Sequence, residues 1–196
     1  MSTAGEEEQR VIALVALERA LPVLDVVVPL RASGVSLQAE LKPVLDRQWA
    51  EVVGAAPIAR DVADRDAQRV MAAILENNTY LGEAGPGDRR AEAADAVLQA
   101  LHVVTERSRS HEKSDGTLVR HAFAANTLRE VLAELARIAQ PGSAEAHAAP
   151  ADDAALRERV RAAGTDAAKL LELRADAERE AARCSGELRQ APARRG

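Results

Sequence analysis

The chain has 196 residues, of which 47% are hydrophobic and 29% are charged, and its formal net charge is −5. This length is enough for one domain with a hydrophobic core, or for one domain with an extension, and the acidic balance provides no general attraction to nucleic acid or anionic lipid. Aromatic residues make up only 2% of the chain, which disfavours recognition by aromatic stacking on bases or sugars.

Alanine accounts for roughly a fifth of the residues. It is accompanied by many leucines, arginines and glutamates, which are also strong helix formers. The composition therefore predicts an all-α protein. Cys184 is the single cysteine, so neither an internal disulfide nor a pair of cysteine metal ligands can form. A reducing, cytoplasmic location is expected from this cysteine usage.

The amino-terminal region is predicted to be a buried helix rather than a membrane segment. Val11 to Leu30 is apolar over about the length of a bilayer crossing, but Glu18, Arg19 and Asp25 interrupt it. Each of these charges would cost a few kcal/mol at a bilayer centre. The residues before this run are acidic, whereas a secretory signal begins with basic residues. No membrane insertion and no export signal are therefore predicted.

Residues 6–140 are predicted to form a bundle of about five helices, because apolar residues recur there at helical spacing. Pro22 is expected to end or kink the first helix, and Ser36 is a candidate N-cap for the second. The β-branched segment 23–28 between them is predicted to be helical or extended within the core, since no second strand is present to pair with it.

The strongest pair of helical patterns lies between Glu92 and Ala139. A short polar break, Ser108 to Thr117, separates their two apolar faces. A break of this length predicts an antiparallel pair of helices.

The carboxy-terminal region has the most regular pattern. Residues 141–151 are small and contain prolines, so a flexible linker is predicted; a long amphipathic, alanine-rich helix is predicted over residues 152–190, followed by a basic tail at 191–196. Apolar positions in this helix alternate by four and three, as in a heptad repeat, although Arg174 occupies one of them. We call the apolar positions the seam: Leu156, Val160, Ala163, Ala167, Leu170, Ala177, Ala181, Cys184 and Leu188.

A group of potentially reactive side chains surrounds the polar break of the hairpin. His102 and Glu106 are one helical turn apart and point the same way, and Arg107 and His111 follow them. These four residues are the tentative catalytic group of an alternative hypothesis, in which the chain is a small helical enzyme or a ligand-binding regulator with a polar site at residues 105–121. The competing interpretation, a solvated helix face with cations near its carboxyl end, is favoured.

Metal, cofactor and nucleic-acid sites are not predicted. A metal ion needs three or more ligands, and the spacings of zinc and di-iron motifs are missing from the sequence. A phosphate or RNA surface could use five neighbouring basic residues, but acidic residues lie among them and reduce their field. The five are Arg107, Arg109, Lys113, Arg120 and His121.

The main hypothesis is a non-enzymatic interaction or assembly module that acts through helix–helix packing. Wide apolar helix faces and a heptad-like seam are present, whereas a catalytic constellation is not. The expected partner is another copy of the chain or another helical protein, and the seam is the predicted contact surface.

Overall fold

The computed structural model describes residues 3–27, 35–84, 89–110, 115–139 and 152–190. These residues form seven α-helices of 12 residues or more, and no strand occurs among them. The all-α prediction is confirmed. The finer count differs. The described residues up to Ala139 form five long helices and one short helix, and those from Asp152 to Gln190 form two helices where one is predicted.

The helices are named in chain order, and a 3-10 turn at Leu21–Val23 separates the first two. Their bounds are α1 Thr3–Ala20, α2 Leu24–Val27, α3 Leu37–Val52, α4 Arg60–Ala84, α5 Arg89–Ser110, α6 Asp115–Ala139, α7 Asp152–Ala163 and α8 Ala167–Gln190.

Local sequence signals explain several of these bounds. Pro22 lies in the first turn of the 3-10 segment, where the N–H that proline lacks is not required. The Ser36 side chain accepts a hydrogen bond from the backbone N–H of Ala39 at 3.1 Å, which confirms the predicted N-cap of α3. The β-branched segment is helical over Leu24–Val27, and Val28 lies outside the described residues.

Helix α1 occupies the centre of the fold. Every residue from Val11 to Glu18 is buried, and a helix that is buried on all sides needs neighbours on all sides. Those neighbours are α3, α5, α6, α7 and α8. The first half of the apolar run that resembles a membrane span in length, Val11 to Ala20, therefore belongs to the central helix of a protein core.

The middle of the chain forms a layer of three helices. Helix α4 packs along α5, and α5 packs along α6, which also contacts α1 extensively. The predicted hairpin corresponds to α5 and α6, which are neighbours; residues 111–114 of its break lie outside the described residues. Helix α4 has only α5 and, less extensively, α3 beside it among its substantial helix contacts within the described residues.

The single long helix predicted over residues 152–190 is wrong in detail. Helix α7 ends at Ala163, and Gly164 follows with a φ of 55°, a left-handed conformation that glycine adopts at little cost. Asp166 then caps α8, because its Oδ1 accepts a hydrogen bond from the backbone N–H of Ala168 at 3.0 Å. A glycine and a capping aspartate thus divide the region into two helices.

The seam is largely covered by the chain itself. Its buried members are Leu156, Val160, Ala163, Leu170, Ala177 and Ala181. Those from Leu156 to Ala177 belong to the same hydrophobic core as α1. Ala167 is exposed at the turn between α7 and α8, and Cys184 is half-buried. The side chain of Leu188 lies outside the described residues.

Two further predictions, the linker at 141–151 and the basic tail at 191–196, also lie outside the described residues. Within the described ranges, none of the helices combines the length and the apolar content that a bilayer crossing requires.

Candidate functional site

The predicted catalytic group lies at the end of α5, and the structure describes part of it. His102 and Glu106 are both half-buried and lie one turn apart on α5. The side chain of Arg107 and the whole of His111 lie outside the described residues. The four-residue site stays a prediction.

The other polar predictions around the hairpin have different outcomes. Among the described residues, no group of three or more His, Cys, Asp and Glu side chains could hold a metal ion. Of the five basic residues considered for phosphate, Arg120 is exposed whereas His121 is fully buried. These two side chains therefore do not share a surface. The side chains of Arg107 and Arg109 and the whole of Lys113 lie outside the described residues.

A dense group of charges lies where α1, α3 and α8 meet. Glu18 is buried on α1, with 3% of its side chain exposed, and its Oε1 lies 3.0 Å from Nζ of Lys42. Its Oε2 lies 3.3 Å from Nε of Arg174. On the outer side, Lys42 donates a hydrogen bond to Asp46 at 2.6 Å, and Arg174 pairs with both Asp46 and Glu178. We call these five residues the charge cluster.

Burial and pairing shift the pKa values of two members of the charge cluster. Burial raises the pKa of the Glu18 carboxyl, and the hydrogen bond and the positive charges of Lys42 and Arg174 offset only part of this effect. Partial burial by itself would lower the pKa of Lys42, but its hydrogen bonds to Asp46 and Glu18 outweigh burial and raise that pKa. Lys42 therefore remains a cation, while Glu18 is protonated more easily than an ordinary glutamate.

Arg174 also connects the charge cluster to the hydrophobic core. Its guanidinium carbon lies 5.9 Å from the centre of the Trp49 ring, within the range of a cation–π interaction. Trp49 is fully buried on α3. The stem of Arg174 can therefore pack on the core while its charged end reaches the carboxylates.

A second buried charge joins α1 to α3. Arg10 is 3% exposed; it donates a hydrogen bond to Oε1 of Gln48 at 3.1 Å and pairs with Glu51. Arg10 precedes Glu18 by eight residues, a spacing that places both on similar sides of α1. Helix α1 thus presents two buried charges of opposite sign to α3, which helps to define how these helices align.

The geometry of the charge cluster is more typical of ion pairs that hold helices together than of a catalytic site. A carboxyl with a raised pKa is a candidate acid–base group. Each oxygen of Glu18, however, already lies beside a cation, and burial leaves little room for a substrate to approach it. The ion pairs instead attach α8 to α1 and α3, and a further pair between Arg19 and Glu180 extends the same contact.

The single thiol of the chain shows no sign of activation. Cys184 is half-buried on α8, and burial raises the pKa of its thiol by more than the neighbouring Arg183 lowers it. Reactive cysteines have lowered pKa values. Cys184 instead behaves as a small, mostly apolar residue of the seam.

An open groove of about 600 Å³ lies between α1, α6 and α7. The described residues that line it are Gly5, Glu8, Gln9, Ala122, Phe123, Asn126 and Arg161. Arg161 pairs with Glu8, its Nε lying 3.1 Å from both carboxylate oxygens, and Phe123 is 70% exposed. These residues offer a contact surface but not a nucleophile with an adjacent base.

Several large apolar side chains remain exposed on the outside of the molecule. Those of the described residues are Val35, Met71, Leu75, Phe123 and Leu171. Met71 and Leu75 lie one turn apart on α4, so they are neighbours on one face of that helix. The outer face of α4 is consequently a candidate contact surface.

The charge cluster is not part of the site predicted from the sequence. Glu18 interrupts an apolar run and Arg174 interrupts the seam, so the sequence alone indicates only an irregularity in each helix. One feature of the sequence indicates the pairing: Glu18 and Arg174 have opposite charges, and each lies on a helix face that is expected to be buried. Which helices would bring them together depends on the tertiary fold.

Comparison with known proteins found no matching family model, no matching curated protein and no matching solved structure. The functional proposal below therefore rests on the residues of this chain.

Proposed function

We propose that this chain is a non-enzymatic interaction or assembly module that acts through helix–helix packing. Its partner is another copy of the chain or another helical protein. The observation that carries the proposal is the outer face of α4, where Met71 and Leu75 are exposed beside Ala72 although the opposite face of the same helix is already buried. A helix with apolar residues on both faces can pack on two neighbours.

The seam has an internal role in this proposal. Residues such as Leu156, Val160 and Leu170 lie in the core of the chain, so their use by a partner would require α7 and α8 to leave α1. Large buried side chains contribute about 1.5–3 kcal/mol each, which opposes such a release. We therefore assign the seam to attachment of α7 and α8 within the chain, and the partner contact to an outer surface.

Chemistry within the described residues supports a binding role more than a reaction. Both carboxyl oxygens of Glu18 lie beside the cations Lys42 and Arg174, and burial raises the pKa of the Cys184 thiol. A cytoplasmic location belongs to the same proposal, supported by a single cysteine that cannot form an internal disulfide.

The test is the mass of the full chain in solution and after purification from its host. We expect sedimentation velocity at increasing concentration, together with native mass spectrometry, to give a mass above that of one chain, either as a homo-oligomer or with a protein partner. A monomer in both measurements would contradict the proposal. A stoichiometric metal ion or small molecule on that monomer would favour the alternative with a site at residues 105–121.

A further inference from the structure

Helix α4 carries apolar residues on two opposite faces. On the inner face, Ala67, Val70 and Ile74 are buried, and this is the side that packs along α5. The outer face has three neighbouring exposed apolar residues, which we call the α4 stripe: Met71, Ala72 and Leu75. Gln68 and Thr79 are exposed on the same side, one turn before and one turn after the stripe. The outer face is thus apolar in the middle and polar at both ends.

The order of residues along this face is self-complementary. Suppose that a second α4 lies antiparallel to the first, with a twofold axis level with the midpoint between residues 73 and 74. Leu75 of each copy then lies opposite Ala72 of the other copy and beside its Met71. A large side chain meets a small one, which allows close approach of the helices and leaves few voids. At the two ends, Gln68 lies opposite Thr79, so polar groups face polar groups.

A parallel pair of α4 helices would fit less well. In register, Leu75 would lie against Leu75 and Ala72 against Ala72. Two large side chains would then hold the helices apart at one level, while two small ones would leave a gap at the next. The sizes of the side chains therefore favour the antiparallel arrangement.

The charges beside the stripe favour the same arrangement. Arg69 and Glu76 are exposed and, being seven residues apart, lie on the same flank of the α4 stripe. In the antiparallel pair, Arg69 of one copy lies on the same flank as Glu76 of the second copy and about 3 Å from it along the axis. The symmetry forms two such pairs of opposite charge. In a parallel pair the two charged flanks would lie on opposite sides of the contact, where their charges could not meet.

From the complementary sizes and the complementary charges we infer that the α4 stripe is a self-association surface. It binds the α4 stripe of a second copy in an antiparallel, twofold arrangement. The inference rests on the proposed function and names its surface and its partner. A twofold contact uses the same patch on both copies, as the pattern of this stripe requires.

The size of the surface sets the strength of the association. Interfaces that bury less than about 1,200 Å² in total are typical of transient complexes, and one face of a single helix over three turns falls into this class. The dimer is therefore expected to be weak and in exchange with the monomer, so the fraction of dimer should rise with the concentration of the chain.

The first test compares two exposed leucines in the full chain. L75E places a carboxylate near the centre of the contact, and we expect it to weaken dimerisation by at least about tenfold, since a buried unpaired charge is costly. L171E makes the same change on α8, where Leu171 is 48% exposed, and should dimerise as the unchanged chain does. Sedimentation velocity measures association, and circular dichroism checks that both variants remain folded.

The second test uses the charges beside the stripe. R69E would bring carboxylates together across the interface and weaken dimerisation, and E76R would bring cations together with the same result. In the double variant R69E/E76R each opposite-charge pair is restored with reversed polarity, so dimerisation should recover. This recovery is expected only of the antiparallel pair, because a parallel pair keeps the two flanks apart and should be insensitive to all three variants.

Several outcomes would overturn the inference. If L75E dimerises at the same concentration as the unchanged chain, the α4 stripe is excluded as the contact. If only F123E loses dimerisation, the contact lies in the groove beside α6, and the proposed function remains intact. A double variant that remains monomeric would exclude the antiparallel arrangement. A monomeric full chain with a different bound protein would also exclude self-association, whereas a monomer without any partner contradicts the proposed function as well.

Discussion

The carboxy-terminal pair α7 and α8 and the middle helix α4 make opposite use of similar sequences. Both regions are amphipathic and rich in alanine, and the seam of α7 and α8 has the more regular repeat. The regular face is buried inside the chain, whereas the irregular outer face of α4 remains exposed. A regular apolar repeat therefore indicates that a face will be buried but does not indicate which surface will cover it.

The difference follows from what each region contacts. Helix α1 is buried on all sides and is covered partly by α7 and α8. Among the described residues, helix α4 packs mainly on α5, and Met71 and Leu75 on its other side are exposed. Most of the seam thus lies in the same core as α1, whereas the α4 stripe is exposed.

Removal of α7 and α8 should have the largest effect. A chain ending at Pro141 would expose α1 along the contact with Leu156, Val160 and Leu170 and would leave Glu18 without Arg174. The lost burial amounts to several kcal/mol, comparable with the total stability of about 5–15 kcal/mol of a domain. We expect loss of cooperative unfolding, as measured by circular dichroism in urea.

A chain ending at Gln190 is the control for this truncation, because it keeps both helices and should unfold as the full chain does. Equal stability of the chain ending at Pro141 would mean that α7 and α8 are not part of the core and that they resemble the outer face of α4 in this respect.

The same substitution at two leucines should separate the two regions. Leu170 on α8 is 1% exposed and Leu75 on α4 is 62% exposed. L170A should lower the free energy of unfolding by about 2–5 kcal/mol, since it leaves a cavity in the core, whereas L75A should change it by no more than about 0.5 kcal/mol. Urea denaturation at a concentration where the chain is monomeric measures both. Similar losses in the two variants would show that the outer face of α4 is also part of the folded core.

A smaller effect is expected from the pH dependence of the charge cluster. The pKa of Glu18 is raised above its ordinary value of 4.5, so the folded chain holds this proton to higher pH than the unfolded chain does. The contribution of Glu18 to stability is therefore complete below pH 4.5 and is lost as the pH rises through the raised pKa. E18Q lacks this titration.

The measurement for Glu18 is the difference in the free energy of unfolding between the unchanged chain and E18Q over that pH window. The free energy of unfolding of the unchanged chain, relative to that of E18Q, should fall as the pH rises. A difference that is flat, or that changes in the other direction, would mean that pairing with Lys42 and Arg174 outweighs the burial of the carboxyl.

Several features could be predicted from the sequence because their physical causes are local. Ser36 caps α3 through a hydrogen bond to a residue three positions later, and the spacing of apolar residues indicates the hairpin of α5 and α6. The turn at Gly164 and Asp166 is also local, but the heptad spacing continues across it, so the pattern predicted one helix. The heptad spacing therefore gave no indication that α7 ends before Gly164.

The sequence by itself determined the helical class, the positions of most helices and which faces are apolar, because these depend on contacts between residues a few positions apart. Only the tertiary structure decided that Glu18 meets Arg174, that most of the seam joins the core around α1, and that Met71 and Leu75 on α4 are exposed. Those outcomes depend on which helices pack together across long sequence separations, such as the 128 positions that separate Asp46 from Arg174. No local pattern specifies that choice.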